Sequence, residues 1–534
     1  MGESVQEPPA TARRRALVYG CLFVTGAVTI ALELIAARLL TPYVGGSLYV
    51  WTAILTITLL ALAAGYHFGS RWSHRPGVSR LFARFPALTA LALCVAVPLY
   101  PLILPTVAFA DALVGAFVGC LLVLGPALLL LSALNPLAVA LTARGDGDRG
   151  AGEAFAVSTV GSVAGALAGA FLLLPYMAPA TALVTLAAAL LVVAAAVLPL
   201  ARDRMTAVGL VPAGVAAVVV AGITLLAPPD RVDLGDLRLE HVETVRNAHA
   251  TVVVVDAEHA ERPGTVRLYL EENQMQSARS PDLPGEPLFY IALAEAALEA
   301  MMPERGRVLV LGLAGGTIAQ GLADAGYDVA AVDINPAASR IAERWFGFDP
   351  AAVPVTVADA RRHLDHCTGR WDAIFFDVFS GLTAPDHLVT REAFAAAGRC
   401  LAPGGVVVAN TIVPPLDARP TRRLMAAMAR GVAAGAGAAR PARLSVYQGT
   451  GSEAWRHNRV MVARPDGRPA PVLEEPQFPT DLFGREARRI EPILVDPAWL
   501  ADAPPLTDAR NDFALAVARM AEGLAFLPIP MSWL

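Results

Sequence analysis

The chain has 534 residues, 55% of them hydrophobic and 17% charged, with a formal net charge of -5. That is too apolar for an average soluble protein, and with no basic stripe carrying interleaved aromatics, nucleic acid is not an expected partner. Of the cysteines, Cys21, Cys94 and Cys120 sit inside apolar runs, and Cys367 and Cys400 show no metal-ligand or CxxC spacing, so neither structural disulfides nor zinc is expected.

The apolar excess lies before about residue 228, and Asp, Glu and Arg become frequent from Asp230 onward. Runs of about twenty apolar residues suffice to cross a hydrocarbon core of about 30 Å. Seven such runs are read, near 16–38, 50–70, 86–108, 112–134, 155–176, 179–200 and 206–227. The first follows Arg13, Arg14 and Arg15 but is long and has no small-residue cleavage site, so it is expected to remain as a helix rather than be removed as a signal peptide. Arg71, Arg75, Arg80 and Arg84, then Arg144 and Arg149, then Arg202 and Arg204, mark alternate loops, which puts the N-terminus inside. Seven crossings from there would carry everything after Pro228 outside. Glu33, in IALELIAARLL, is either part of a polar-substrate path or a carboxylate near the interface, paired with Arg38 or snorkelling. Gly161, Gly165 and Gly169 recur at four-residue spacing, which reads as close helix packing.

Beyond Pro228 and Pro229 the pattern alternates through HVETVRNAHATVVVVDA and TVRLYLEE, a small β-rich subdomain with hairpins. PLFYIALAEAALEAMM has helical periodicity. RVLVLGLAGGTIAQGLADAGYDVAAVDINP then reads as a buried strand, a glycine-rich turn, a helix and a second strand ending in Asp333. Glycines at Gly312, Gly315 and Gly316 let backbone pass close to a ligand, and the next helix offers unpaired N–H groups. Taken alone, such a turn is as readily structural, and its G-x-x-G-G spacing departs from the dinucleotide pattern. A third strand closes at Asp359, a fourth delivers Asp377, and LAPGGVVVANT is a fifth. Ligands of open parallel sheets bind outside the carboxyl ends of the strands, so the glycine turn, Asp333, Asp359 and Asp377 converge on one crevice. Each acid alone is equally well a loop or cap carboxylate.

GLAGGT, AVDINP, ADARRHL, DVFSG, PDHLVTREAF and LAPGGVVVAN together resemble the spermidine synthase family of polyamine aminopropyltransferases, and in particular its membrane-fused branch, over about residues 240–415. The resemblance implies an α-helical polytopic membrane bundle over 1–228, a β-rich subdomain over 229–285, and an α/β Rossmann-like S-adenosylmethionine-type methyltransferase fold over 286–534. It implies transfer of an aminopropyl group from decarboxylated S-adenosylmethionine to a small amine or other small-molecule acceptor, with a lipid bilayer around the helical half and no metal. Soluble members are commonly dimers or tetramers, so a homo-oligomer is an expected form. By motif position, Asp333 would hold ribose, Asp359 would read adenine, and Asp377 is the first acid of the family's D-x-x-D loop. Tyr290 matches the tyrosine of the Y-H-E segment, and Gln276 the glutamine of the D-G-x-x-Q turn with one extra residue. These three, Asp377, Tyr290 and Gln276, are the expected catalytic set; Gly312, Ala314, Gly315, Gly316, Asp333 and Asp359 are the expected cosubstrate set.

The departures matter. Ala314 stands where the family's glycine loop carries an acid, Ser380 where the loop has its second acid, and Ile291 and Ala292 replace the Y-H-E histidine and glutamate. Without an acid at position 314, ordinary S-adenosylmethionine becomes an acceptable donor, because nothing there repels its carboxylate. An S-adenosylmethionine-dependent methyl- or aminocarboxypropyl transferase is therefore one alternative, and a non-catalytic nucleoside- or polyamine-binding transporter or sensor another. The cosubstrate is normally cytosolic, which favours a cytoplasmic soluble half against the loop charges. A re-entrant run, at Pro98/Pro101/Pro105 or at the stretch ending in Asn135-Pro136, would reconcile the two. Toward the C-terminus, a basic helix over Arg419–Arg430 and a strand at HNRVMVA are expected to complete the sheet, and the proline-rich stretch between Pro465 and Pro505 reads as a loop or lid.

Overall fold

The computed structural model describes residues 12–44, 48–110, 112–142, 147–201, 211–225, 230–260, 262–280, 288–302, 304–367, 370–378, 385–448, 458–473, 492–511, 513, 529 and 533. Its first half is helical: α1 (Ala12–Val44), α2 (Leu48–Ser73), α3 (Val78–Ala110), α4 (Ala112–Val123), α5 (Gly125–Thr142), α6 (Gly147–Ala168), α7 (Pro179–Val197) and α8 (Val211–Leu225). Six described helices are long and apolar enough to cross a membrane, at Ala12–Val44, Val50–Ser73, Val78–Leu104, Gly125–Thr142, Gly150–Leu173 and Pro179–Leu200.

The expected span at 112–134 is divided differently. Pro126 lacks an amide proton, so the helix is interrupted at Leu124, although the Leu124 amide still bonds the Cys120 carbonyl and the Leu128 amide the Leu124 carbonyl; the long apolar stretch runs from Gly125 to Thr142. The two proline-bearing stretches read as re-entrant candidates are continuous helix, α3 passing through Pro98, Pro101 and Pro105 and α5 through Pro136. Of the last expected run, the described part is the 15-residue α8.

The glycine stripe packs α6 against α1. A Cβ at Gly161 or Gly165 would collide with the carbonyl of Phe23 or Ala27, and one at Gly169 would come within 3.1 Å of Leu34. The two helices run in the same direction, and Arg15 pairs with Glu153 at 2.8 Å near their starts. Arg38, near the other end of α1, pairs with Glu272 of the soluble half at 3.3 Å, and not with Glu33.

The soluble half opens with an antiparallel meander of β1 (Arg231–Leu234), β2 (Leu237–Arg246), β3 (Thr251–His259), β4 (Arg262–Glu271) and β5 (Gln274–Arg279), paired in chain order. Helix α9 (Phe289–Met301) leads into the second sheet, built from β6 (Arg307–Leu311), β7 (Asp328–Asp333), β8 (Val355–Val357), β9 (Trp371–Phe376), β10 (Leu401–Thr411), β11 (Arg443–Tyr447), β12 (Arg459–Arg464) and β13 (Ile493–Leu494). Its order is β13-β11-β12-β10-β9-β6-β7-β8, with β6 to β10 parallel and β11 to β13 antiparallel. The central strands are apolar on both faces: Val308, Val310 and Phe375 enter one core, Leu309, Leu311, Ile374 and Phe376 the other. Helices α10 (Thr317–Asp324), α11 (Ala338–Phe346), α12 (Ala360–Asp365), α13 (Arg391–Cys400) and α14 (Arg419–Gly435) cover the sheet. This is the Rossmann-like methyltransferase fold, and the basic helix and the HNRVMVA strand complete it as α14 and β12. Residues 474–491 of the expected lid lie outside the described residues, and the part that follows is not all loop: β13 pairs with β11, and Pro497–Leu500 forms a short helical turn.

Candidate active site

The parallel strands bring the sequence motifs together at their carboxyl ends. Gly312 follows β6 with φ of 93°, and a Cβ there would strike the Asp377 carbonyl, so two strand ends lie too close for any side chain. Gly315 is equally confined, its Cβ position being 2.7 Å from Ser277 Oγ, while Gly316 caps α10 against the Phe348 ring. Ala314 sits between them with φ of 47°, a left-handed conformation carried by a residue with a Cβ.

Asp333 ends β7 and holds this loop. Its Oδ2 accepts the Leu313 amide at 2.7 Å and the Ala314 amide at 3.4 Å, and its Oδ1 accepts the Asn335 amide at 2.7 Å. Burial raises its pKa against the pull of these amides. A carboxylate oxygen has two acceptor sites, so the arrangement leaves Asp333 capacity for a further donor.

Asp359 has a structural duty as well. It caps α12, accepting the Arg362 amide at 2.9 Å, and its other oxygen faces His387 Nε2 at 2.9 Å. Burial works to raise it, yet the amide and His387 together hold it below the ordinary carboxylate range. The segment PLTDARNDF, near the C-terminus, braces this wall. Asp508 meets Arg361 at 3.0 Å and accepts the Thr390 hydroxyl at 2.6 Å, and Arg361 also donates to the His387 carbonyl at 3.2 Å.

Tyr290 and Asp377 of the expected set touch through their side chains, and Gln276 joins them through its main-chain carbonyl. The Tyr290 hydroxyl, from the start of α9, lies 3.1 Å from the Gln276 carbonyl oxygen and 3.3 Å from Asp377 Oδ2. The extra residue in the Gln276 turn coincides with a β-bulge: Tyr269 pairs with Ser277 and Leu270 with Met275, so Gln276 falls between ladder positions, its main-chain carbonyl facing Tyr290. Asp377 Oδ1 receives the Asn410 amide at 2.8 Å, and Asn410 in turn accepts from Asn458 at 2.9 Å. Burial pushes Asp377 up to about 6, opposed by Asn410 and Tyr290. Such a carboxylate is mostly ionised at neutral pH and is a better proton acceptor than an ordinary one. Asn410 was missed from sequence although it closes the quoted strand LAPGGVVVAN at the ligand-facing end. Ile291 is buried in the core, and Ser380 lies outside the described residues.

Residues 308–405 match a family described as a methyltransferase domain. A polyamine aminopropyltransferase of Vibrio vulnificus is 33% identical over 138 residues, 24% of this chain and 46% of that protein. One from Chromobacterium violaceum is 30% identical over 152 residues, 28% of this chain and 58% of that protein. Part of the soluble half is therefore similar to polyamine aminopropyltransferases. The chain spans about half the length of these curated relatives, and the six long apolar helices ahead of the aminopropyltransferase-like region fit a membrane-fused form. Among solved structures, a probable spermidine synthase from Corynebacterium glutamicum is similar over 50% of this chain and 95% of that chain, at 19% identity and a TM-score of 0.39.

Proposed function

We propose that the protein transfers an aminopropyl group from decarboxylated S-adenosylmethionine to a small amine. The observation that carries this reading is the meeting of Asp377, Tyr290 and the bulged Gln276, from three separate segments, beside the glycine loop and Asp333. In the reaction the acceptor nitrogen attacks the carbon next to the sulfonium. A C–N bond forms, the C–S bond breaks, methylthioadenosine leaves, and the proton shed by the amine passes to Asp377. Tyr290 and the Gln276 carbonyl would orient the acceptor, since such displacement needs the nitrogen held in line. Asp333 would take the ribose hydroxyls and Asp359 the adenine edge. The test is incubation of the full-length protein with decarboxylated S-adenosylmethionine and putrescine. Release of methylthioadenosine with a new polyamine is expected; binding of the nucleoside without release would overturn the reading.

One observation favours a second donor. With Ala314 in place of an acid, the loop has no carboxylate at that position to repel the donor's own. Ordinary S-adenosylmethionine then competes, and its stronger binding in calorimetry would favour methyl or aminocarboxypropyl transfer.

We further infer that the helical half is embedded in a lipid bilayer, with the soluble half on the face opposite the arginine-rich loops. Arg15 and Arg38 lie about 35 Å apart along α1 at 1.5 Å per residue, more than a hydrocarbon core of about 30 Å. Arg15 meets the start of α6, whereas Arg38 meets the soluble half. Because arginine-rich loops favour the cytoplasm, this orientation is outward.

A further inference from the structure

We propose that Arg38, on the first long apolar helix, is a positioning residue for the adenosyl site. It grips the Glu272 hairpin tip and the Asn247 carbonyl, and through the Asn247–Asn335 side-chain pair it sets the turn that presents Asp333. The proposal rests on the adenosyl reading of that site.

The contacts run without a gap. The Arg38 guanidinium lies 3.3 Å from Glu272 Oε1, and its Nη2 donates to the Asn247 carbonyl at 3.2 Å and to Thr251 Oγ1 at 3.4 Å. Both ionic side chains are sheltered, 15% exposed for Arg38 and 9% for Glu272, which separates this pair from surface ion pairs of little worth. Asn247 Nδ2 donates to Asn335 Oδ1 at 2.7 Å, and the Asn335 amide donates to Asp333 Oδ1 at 2.7 Å. Asp333 in turn holds the glycine loop by two amides. Two residues thus separate a helical-half side chain from the carboxylate proposed to hold the ribose.

The second branch reaches the acceptor side. Glu272 and Asn273 form the tip of the β4–β5 hairpin with φ of 49° and 64°, left-handed angles that a hairpin turn requires and glycine would adopt more cheaply. Glu272 is held there at both ends: its Oε1 accepts the Thr251 amide at 2.9 Å, and its own amide donates to the Thr251 carbonyl at 3.0 Å. Four residues on, the bulged Gln276 presents its carbonyl to Tyr290. Charge points the same way. Glu271, Glu272 and Asp333 form a buried acidic group, in which burial, Asp333 and Glu272 push Glu271 up to about 8 while Arg38 opposes them. Loss of the guanidinium would remove a cation that opposes this shift, so Glu271 would hold its proton more tightly and Glu272 would lose its counter-charge at the hairpin tip.

The experiment titrates detergent-solubilised full-length protein with methylthioadenosine and S-adenosylhomocysteine by calorimetry. Arg38→Ala is expected to weaken binding about tenfold, the scale of a lost charged hydrogen bond. Arg38→Lys, which keeps the charge, is expected to fall between it and the parent. Asn247→Ala leaves the ion pair's groups in place and cuts the onward link, and it is expected to weaken binding as well. Glu153→Gln breaks the ion pair at the opposite end of the same helix and serves as the control, with binding unchanged. Parent-like affinity in both Arg38→Ala and Asn247→Ala overturns the proposal. So does an equal loss in Glu153→Gln, which would mark a general loosening of the bundle. If the parent protein binds neither nucleoside, the adenosyl reading itself falls, a result distinct from a parent that binds and variants that match it.

Discussion

The Asp377 carboxylate receives the Asn410 amide at 2.8 Å, across the carboxyl ends of two adjacent parallel strands. That bond and the Tyr290 hydroxyl stabilise the charged form of an acid that burial pushes up to about 6. Since the base must be ionised to take a proton from the acceptor amine, kcat/KM is expected to climb with pH through about 6. Asp377→Asn should lower kcat by about a hundredfold to ten-thousandfold, the range of general-base catalysis, with nucleoside affinity retained. Steady-state kinetics across pH 5 to 8 check both points, and a flat profile would remove Asp377 from the role of base.

The same residue should cost stability. Its folded-state pKa of about 6 stands above the value of about 3.9 for an ordinary aspartate, so the folded protein holds this proton more tightly than the unfolded chain. That advantage is complete at pH below the unfolded value and is lost as pH rises through about 6. At pH 8 a buried charge remains, and Asp377→Asn removes it. Its Tm is expected to exceed the parent's at pH 8, with the gap narrowing at pH 5, in thermal unfolding followed in detergent.

Asn410 acts through Asp377. In Asn410→Ala the carboxylate loses its 2.8 Å donor while its burial is unchanged, so its pKa should move further up. The acid limb of the pH–rate profile is then expected to shift to higher pH while activity at high pH largely recovers. A uniform loss at all pH values would mean that Asn410 serves the substrate directly.

The strand-end acids and the glycine turn were legible because ligand sites of parallel sheets obey a positional rule, and the folded chain brings Gly312 and Asp377 into backbone contact. Other features depend on contacts between distant segments. Asp359 read as an adenine ligand or a cap, and while the cap is local, its His387 partner emerges only once Asp386–Leu388 packs beside α12. The extra residue near Gln276 blurred the motif, and the pairing of β4 with β5 places a bulge at that position. Arg38 lay inside an apolar run with Glu33 as its nearest visible acid; its actual partner is on a hairpin tip in the other half of the chain. Likewise the span at 112–134 looked uninterrupted in hydropathy, and the backbone chemistry of Pro126 divides it.

Donor choice should turn on position 314. Ala314 has φ of 47°, an angle that aspartate tolerates better than alanine, so Ala314→Asp is expected to fold. The new carboxylate would attract the ammonium of decarboxylated S-adenosylmethionine and repel the carboxylate of the ordinary donor. Competitive binding of the two donors is expected to move about tenfold or more toward the decarboxylated one. An unchanged ratio would place the donor's tail away from the glycine loop.

The proposed sidedness rests on the direction of α1. Its start carries Arg15 and meets Glu153, and its far end carries Arg38 and meets Glu272, so the N-terminal arginines and the soluble half belong to opposite faces of the bundle. The connections bearing Arg71, Arg75 and Arg80 return to the Arg15 end, because α2 starts where α1 stops. In the orientation proposed above, arginine-rich loops stay in the cytoplasm and the soluble half faces outward. A C-terminal alkaline phosphatase fusion is therefore expected to be active, and a C-terminal green fluorescent protein fusion dark. The outward orientation has a chemical consequence, since the adenosyl donor and the amine would be drawn from the outer face. Fluorescence without phosphatase activity would reverse the orientation and return the reaction to the cytosolic pool, and the Arg38–Glu272 contact would then require α1 to enter from the outer side.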